Sequence, residues 1–166
     1  MPADLVRMSP LWWVSKLHKR LEEQEEDCEF FDAYYRGDHP LPWLAPQARQ
    51  EFRRILLMTR SNYMGLVCDA TAERLQIEGF RLGTDVEGGD EDTWRIWQAN
   101  NLDSDSDQGI LEALICGKSY MLVAPNPADD KTPLMWVEHP SEAIVAYQPG
   151  SNRRIRKAGL KVWEDD

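Results

Sequence analysis

The chain has 166 residues, 42% of them hydrophobic, and a formal net charge of −10. A chain of this length can bury about two thirds of its unfolded surface, so it can form one domain, or part of one, around its own core. The negative charge argues against a protein that holds nucleic acid by its phosphates, because such binding depends on Lys and Arg. No apolar run reaches the ~18 residues of a membrane-spanning helix.

The negative charge is concentrated in the middle of the chain. Residues 61–130 hold 14 acidic and 4 basic side chains, whereas the segments on either side are nearly balanced. Such a segment is expected to provide solubility, or a surface that DNA can pass without adhering.

Ser9 and Pro10 predict the start of a long helix that extends to Arg36. Its apolar stripe runs from Trp13 to Tyr35, and acidic residues cover the opposite side. Gln24 interrupts the stripe, so a break at residues 23–26 is an alternative.

Proline-rich residues 37–46 predict an ordered connector. A second helix is predicted over residues 46–59, with Phe52, Ile55 and Leu56 facing inward and its arginines facing solvent.

Residues 60–82 are predicted to be the segment around which the fold is organised. Five residues recur at the spacing of one helix face: Met64, Val67, Cys68, Thr71 and Leu75. We expect this face to be buried. Ile77, Phe80 and Leu82 then alternate as in a short strand, so the helix is expected to pack on a sheet.

Two short helices and two hairpins are predicted for the rest of the chain. The helices begin near Asp92 and Ser104, and Gly117 ends the second. Four strands pair in two hairpins, 120–124 with 134–138 and 143–147 with 155–163. The predicted class is α+β, with N-terminal helices packed on a mainly antiparallel sheet. The last strand would leave an exposed edge, so we expect the fold to be incomplete at the C-terminus.

No catalytic, cofactor-binding or metal-binding motif is predicted. The acidic run 103–107 lacks the glycine and glutamate of a calcium loop, and the histidines and cysteines lack zinc spacing. Cys28, Cys68 and Cys116 form no C-x-x-C pair, and no secretory signal precedes them, so we expect buried thiols in a reducing compartment.

Four segments carry a family resemblance: YYRGDHPLPWL (34–44), RSNYMGLVCDATAERLQIEGFR (60–81), EALICGKSYMLV (112–123) and VEHPSEAIVAYQPGSNRRIRKAGLKVWEDD (137–166). In this order they resemble the N-terminal part of portal proteins of tailed bacteriophages, in particular the branch common in phages and prophages of actinobacteria. The likeness covers nearly the whole chain.

The resemblance implies a structural subunit and no enzyme. Portal proteins form a ring, usually of twelve subunits, at one capsid vertex of the virion, and they assemble in the host cytoplasm. DNA passes through the ring without sequence-specific binding. Capsid or scaffolding protein is an expected partner, and the terminase and the head-tail adaptor would bind regions beyond Asp166. Neither a cofactor nor a membrane is implied.

Within such a subunit, residues 1–166 would form the outer, wing-like region. Residues 1–60 would be a helical arm and connector, and residues 61–166 an α+β body. The number of aromatic residues and the uneven charge point to six candidates for contacts with neighbouring subunits or the shell: Trp13, Leu17, Phe31, Tyr35, Trp94 and Trp97.

Two alternatives from other classes stay open. A stand-alone acidic adaptor would bind one partner as a monomer or dimer. A thiol hydrolase would need a reactive cysteine, although Cys68 and Cys116 lie on predicted apolar helix faces, where a thiol stays protonated.

Overall fold

The computed structural model describes residues 8–41, 43, 45–58, 60–81, 83, 89–151 and 155–163, with the backbone alone for 47–51. This part of the chain contains five helices and four strands: α1 (Pro10–Tyr35), α2 (Pro46–Met58), α3 (Tyr63–Ala72), α4 (Glu91–Ala99), α5 (Leu102–Cys116), β1 (Tyr120–Ala124), β2 (Leu134–Glu138), β3 (Ala143–Tyr147) and β4 (Arg156–Lys161). The α+β class is confirmed. None of the described helices is both long and apolar enough to cross a membrane.

Helix α1 is continuous over 26 residues and is the centre of the fold. The Ser9 hydroxyl accepts a hydrogen bond from the Trp12 amide at 3.2 Å, and Pro10 follows it, as the sequence predicted. Leu17 and Leu21 of α1 pack against Ile144 and Ala146 of β3 to form the buried apolar core. The helix therefore lies across the second hairpin.

Gln24 explains why α1 does not break. Its side-chain amide donates to the carbonyl oxygens of Pro140 and, at 3.0 Å, Ala143. Its oxygen accepts from Lys118 Nζ and the Tyr120 hydroxyl, each at 3.2 Å. A buried amide with all its hydrogen bonds satisfied is compatible with a helix interior, so Gln24 joins α1 to both hairpins.

The strands form two separate antiparallel hairpins, β1 with β2 and β3 with β4, rather than one sheet. The hairpins are linked by the buried carboxylate of Glu138 on β2, which accepts hydrogen bonds from Lys161 Nζ on β4 and from Trp136 Nε1. The sequence predicted the strands and their pairing, but a link between side chains this far apart leaves no local pattern.

Helices α4 and α5 hold the first hairpin. The Asn100 side chain donates to the Pro133 carbonyl at 2.9 Å and accepts from the Met135 amide at 2.8 Å. Gly109 lets α5 approach β2 closely, because a Cβ atom there would lie 3.0 Å from Val137 Cγ1. Helix α4 begins after Asp90 and α5 after Asn101, each earlier than predicted, and Gly117 ends α5 with φ +72°.

The prediction that segment 60–82 is the buried centre of the fold is wrong. On α3 only Gly65 is buried, and Met64, Val67 and, beyond the helix end, Leu75 are exposed. The side of α3 that packs is the Gly65 side, where a Cβ atom would lie 2.8 Å from the Tyr35 carbonyl oxygen. Close contact through one glycine leaves the wider apolar face of α3 uncovered.

The predicted strand after α3 is also wrong for its described residues, because Ile77 and Phe80 lie in irregular backbone. Phe80 packs instead on Trp97, with ring centroids 5.2 Å apart, and its carbonyl accepts the Asp90 amide at 2.8 Å. These contacts return the chain to α4 without a sheet. Leu82 lies outside the described residues.

The inward orientation predicted for helix α2 is wrong as well. Phe52 and Ile55 are exposed, and α2 packs extensively on no other described element. The predicted end at Thr59 falls outside the described residues. Leu56 is partly buried, so the described part of α2 exposes Phe52 and Ile55 rather than its whole apolar side.

The expectation of three separate thiols is wrong for two of the cysteines. Cys28 on α1 and Cys116 at the end of α5 form a disulfide, with Cα atoms 4.9 Å apart. They are 88 residues apart in the sequence, so only the packing of α1 on α5 brings them together. Cys68 is a free thiol.

Candidate functional site

An apolar groove lies where α1, α3 and α5 meet. It has a volume of about 310 Å³ and is lined by eight residues: Phe30, Phe31, Tyr34, Tyr35, Met64, Cys68, Leu114 and Ile115. The four aromatic residues among them lie on two consecutive turns of α1. Apolar clefts rich in aromatic residues are typical of binding surfaces rather than of solvated ones.

The groove is shaped by the joint between α1 and α3. The Tyr35 hydroxyl donates a 2.8 Å hydrogen bond to Asp69 Oδ1, and Gly65 lets α3 approach the end of α1. Asn62 caps α3 by accepting from the Gly65 amide at 3.0 Å. Phe30 and Phe31 then lie in edge contact on the outer side of α1, with ring centroids 5.6 Å apart.

Helix α3 continues this surface beyond the groove. Val67, three residues after the groove residue Met64 and on the same side of the helix, is 61% exposed, and Leu66 on the adjoining side is 63% exposed. A helix with large apolar side chains in water is unfavourable by about 25 cal/mol for each Å² that a partner could cover. The groove and the exposed face of α3, named here the α3 surface, therefore have the character of a contact site.

Two ion pairs lie near the residues where α1 ends and α3 begins. Arg36 Nε lies 2.9 Å from Asp32 Oδ2, and Arg60 Nη1 lies 3.6 Å from Asp38 Oδ1. The hydrogen bond to Asp69 raises the pKa of Tyr35 above its usual value, and desolvation adds to the same effect. The groove itself is lined mainly by apolar and aromatic side chains, as is the buried centre of a protein interface.

The described residues that line the groove are aromatic or aliphatic, apart from the thiol of Cys68. Cys68 is the one thiol that the structure leaves unbonded, and no histidine is among the described residues that line the groove with it. The arrangement suits the apolar side chains of another polypeptide.

Comparisons with known proteins assign the chain to the same family that its four sequence segments resemble. The family model described as "Phage portal protein, SPP1 Gp6-like" matches residues 15–157. The chain belongs to this family of phage portal proteins. Two curated relatives are the proteins named "Portal protein" of Mycobacterium phages L5 and D29, each 31% identical over 138 residues. The match covers 80% of this chain and 28% of each relative, so the chain spans little more than a quarter of their length.

The six residues predicted to contact neighbours in such a portal assembly differ in where the structure places them. Phe31 is 46% exposed and lines the groove, as does Tyr35. Trp13 and Trp94 are partly buried. Leu17 is 1% exposed and Trp97 6% exposed, so both contribute most of their surface to the interior of their own subunit. Contact with a neighbour stays a prediction for the set.

Sequence reasoning missed two features of the molecule. It placed the apolar face of α3 in the core, although the position of Gly65 within a helix could have indicated a close contact on the Gly65 side instead. It also missed a cluster of possible metal ligands, because Cys28, Cys116 and His139 have no motif spacing yet offer atoms within 4.8 Å of one another.

Proposed function

We propose that this chain is the outer, wing-like region of a phage portal subunit and that the α3 surface contacts the neighbouring copy in the ring. The observation that carries the proposal is the apolar groove at Phe31 and its continuation onto α3. In a ring every subunit has the same two neighbours, so an uncovered apolar surface at its side can be covered by the next copy of the same chain. Family membership supports a ring of this kind, with twelve subunits as the expected number.

We expect this wing-like region to have two parts. Residues 1–60 would be the helical arm and connector, and residues 61–166 the α+β body. Because α1 also packs on β3 and β4, the arm and the body share one core in the described part of the chain.

The acidic segment would keep DNA from adhering to the ring. Asp92, Asp103 and Asp107 are exposed near the first turns of α4 and α5. Acidic side chains repel phosphates, so DNA would be packaged and ejected past this region without sequence-specific binding.

The remaining partners follow from the proposed role. Capsid or scaffolding protein would contact the outer side of the ring at the virion vertex, and assembly would take place in the host cytoplasm. The terminase and the head-tail adaptor would bind parts of the subunit beyond Asp166.

The test is the native mass of the product of the complete reading frame that contains these residues, measured by light scattering after gel filtration. We expect a ring of about twelve subunits. Phe31→Asp should weaken ring formation by at least about tenfold, because a carboxylate would be buried in an apolar contact. The thermal midpoint of the isolated subunit should hardly change, since Phe31 is half exposed there.

Val123→Asp provides the matched control, because Val123 is 59% exposed on β1 and does not line the groove. It should assemble as the unchanged protein does. Assembly of Phe31→Asp at the normal level would contradict the assignment of the groove. A monomer or dimer from a frame that ends at Asp166 would favour the adaptor instead.

A further inference from the structure

Three side chains with metal-binding atoms meet at the junction of α1, α5 and the β2–β3 loop. They are Cys28, Cys116 and His139, and their ligand atoms lie within 4.8 Å of one another. The two sulfur atoms are buried and bonded to each other, whereas His139 is exposed. Each residue comes from a different element, so the cluster exists only in the folded chain.

The surrounding structure holds these residues in place. Pro140 is fully buried, and its carbonyl oxygen accepts from Gln24 on α1, one turn before Cys28. His139 Nδ1 lies 2.6 Å from the Ser141 hydroxyl, which orients the imidazole. A cluster whose ligands are fixed by packing and hydrogen bonds is better suited to bind a metal than one on mobile side chains.

We propose that reduction of the Cys28–Cys116 disulfide converts this cluster into a Zn²⁺ site. Two thiolates and an imidazole are a ligand set that Zn²⁺ favours. Tetrahedral Zn–S bonds of ~2.3 Å separate two sulfur atoms by ~3.8 Å, so the sulfur atoms have to move apart by a modest rotation of their side chains.

The fourth ligand has room beside the sulfur atoms. A pocket of about 180 Å³ opens at Cys28 and His139, where the carboxylates of Glu25 and Glu29 stand beside an Asp32 that is paired with Arg36. A water molecule or one of these carboxylates completes the coordination. The acidic lining favours a cation over an anion.

The conversion balances with a dithiol as the reductant. The dithiol gives two electrons and two protons to the S–S bond and becomes a disulfide itself, which leaves Cys28 and Cys116 as thiols. Zn²⁺ then displaces the two thiol protons and forms two Zn–S bonds and one bond to a His139 nitrogen. The oxidised chain keeps the disulfide and has no thiolate to offer.

The experiment measures zinc binding by the full chain with Cys68→Ser, so that Cys28 and Cys116 are its only thiols. The chain is reduced with a dithiol, freed of it without oxygen, and titrated with Zn²⁺ against a chromophoric chelator. We expect one Zn²⁺ per reduced chain and none per oxidised chain. Co²⁺ should give the charge-transfer absorption of a thiolate complex in the reduced form.

His139→Ala separates the metal site from the disulfide. It should lower zinc affinity by more than about tenfold, while the thiol count of the oxidised chain stays at zero. His18→Ala is the matched control, because His18 is exposed on α1 away from the cluster, and it should bind zinc normally. Absence of zinc from the reduced chain, or equal affinity of the His139→Ala chain, would overturn the proposal.

Discussion

Helices α1 and α3 both carry apolar residues at helical spacing, yet the structure buries one and exposes the other. Leu17 on α1 is 1% exposed against the β3–β4 hairpin, whereas Leu66 on α3 is 63% exposed. The two helices differ in length and in the elements that they contact. Helix α1 is long enough to cross the second hairpin and α5, while α3 contacts its neighbours through the Gly65 side.

The comparison separates residues that stabilise the subunit from residues that are available to a partner. A buried leucine gains its free energy when the chain folds, and an exposed leucine gains it when another surface covers it. If the α3 surface is an interface, substitutions there should therefore affect association, whereas substitutions at the buried residues of α1 should affect folding.

The largest effect is expected from a pair of identical substitutions. Leu17→Ala should lower the free energy of unfolding by about 2–5 kcal/mol, because it leaves a cavity between α1 and β3. Leu66→Ala should change it by less than about 0.5 kcal/mol. Chemical denaturation of the isolated chain measures both values.

In an assay of ring formation, the two variants should rank in the opposite order by size of effect. Each variant is assayed at a temperature where it is folded. Leu66→Ala should weaken association of the complete subunit, and Leu17→Ala should not. A cost of several kcal/mol for Leu66→Ala in the isolated chain would mean that α3 is covered within its own subunit, and the comparison would fail.

A second pair of variants tests the hydrogen bonds of the buried Gln24 side chain. Gln24→Met keeps the length of the side chain but removes the donors to the carbonyl oxygens of Pro140 and Ala143. We expect a loss of about 1–3 kcal/mol in the free energy of unfolding, since buried polar groups lose their partner. Gln98→Met on the exposed side of α4 should cost almost nothing. Equal effects of the two variants would show that Gln24 stabilises only by filling space.

Gln24 also shows how far the sequence allows prediction. The start of α1, the end of α5 and the strand pairs were predicted because they depend on nearby residues such as Ser9, Pro10 and Gly117. The role of Gln24 was not predictable, because its partners lie more than 90 residues away along the chain. Periodicity indicated that α3 has an apolar face, but it cannot say whether the covering surface belongs to the same chain.

The same limit applies to the candidate sites. Phe31 and Tyr35 were selected from the sequence and do line the groove, because both follow from the α1 stripe. Met64 and Cys68 were assigned to the core, since an apolar helix face is buried in most monomeric proteins. The cluster of Cys28, Cys116 and His139 depends entirely on tertiary packing.

The smallest effect is expected where the two regions join, at the hydrogen bond from Tyr35 on α1 to Asp69 on α3. This bond stabilises the neutral phenol and raises the pKa of Tyr35 in the folded chain. Its contribution to stability is therefore complete below the usual tyrosine pKa of ~10 and is lost as the pH rises through the higher folded value. Tyr35→Phe should destabilise the chain at neutral pH and should make little difference once the phenol is ionised.

Denaturation of the two chains at a series of pH values from about 8 to 11 measures this difference. Tyr63→Phe serves as the control, because Tyr63 is 71% exposed at the start of α3 and the same atom is removed. A constant difference between Tyr35→Phe and the unchanged chain across the range would mean that the hydroxyl acts through packing. A difference that vanishes at high pH would assign it to the bond with Asp69, which would then be a titratable link between α1 and α3.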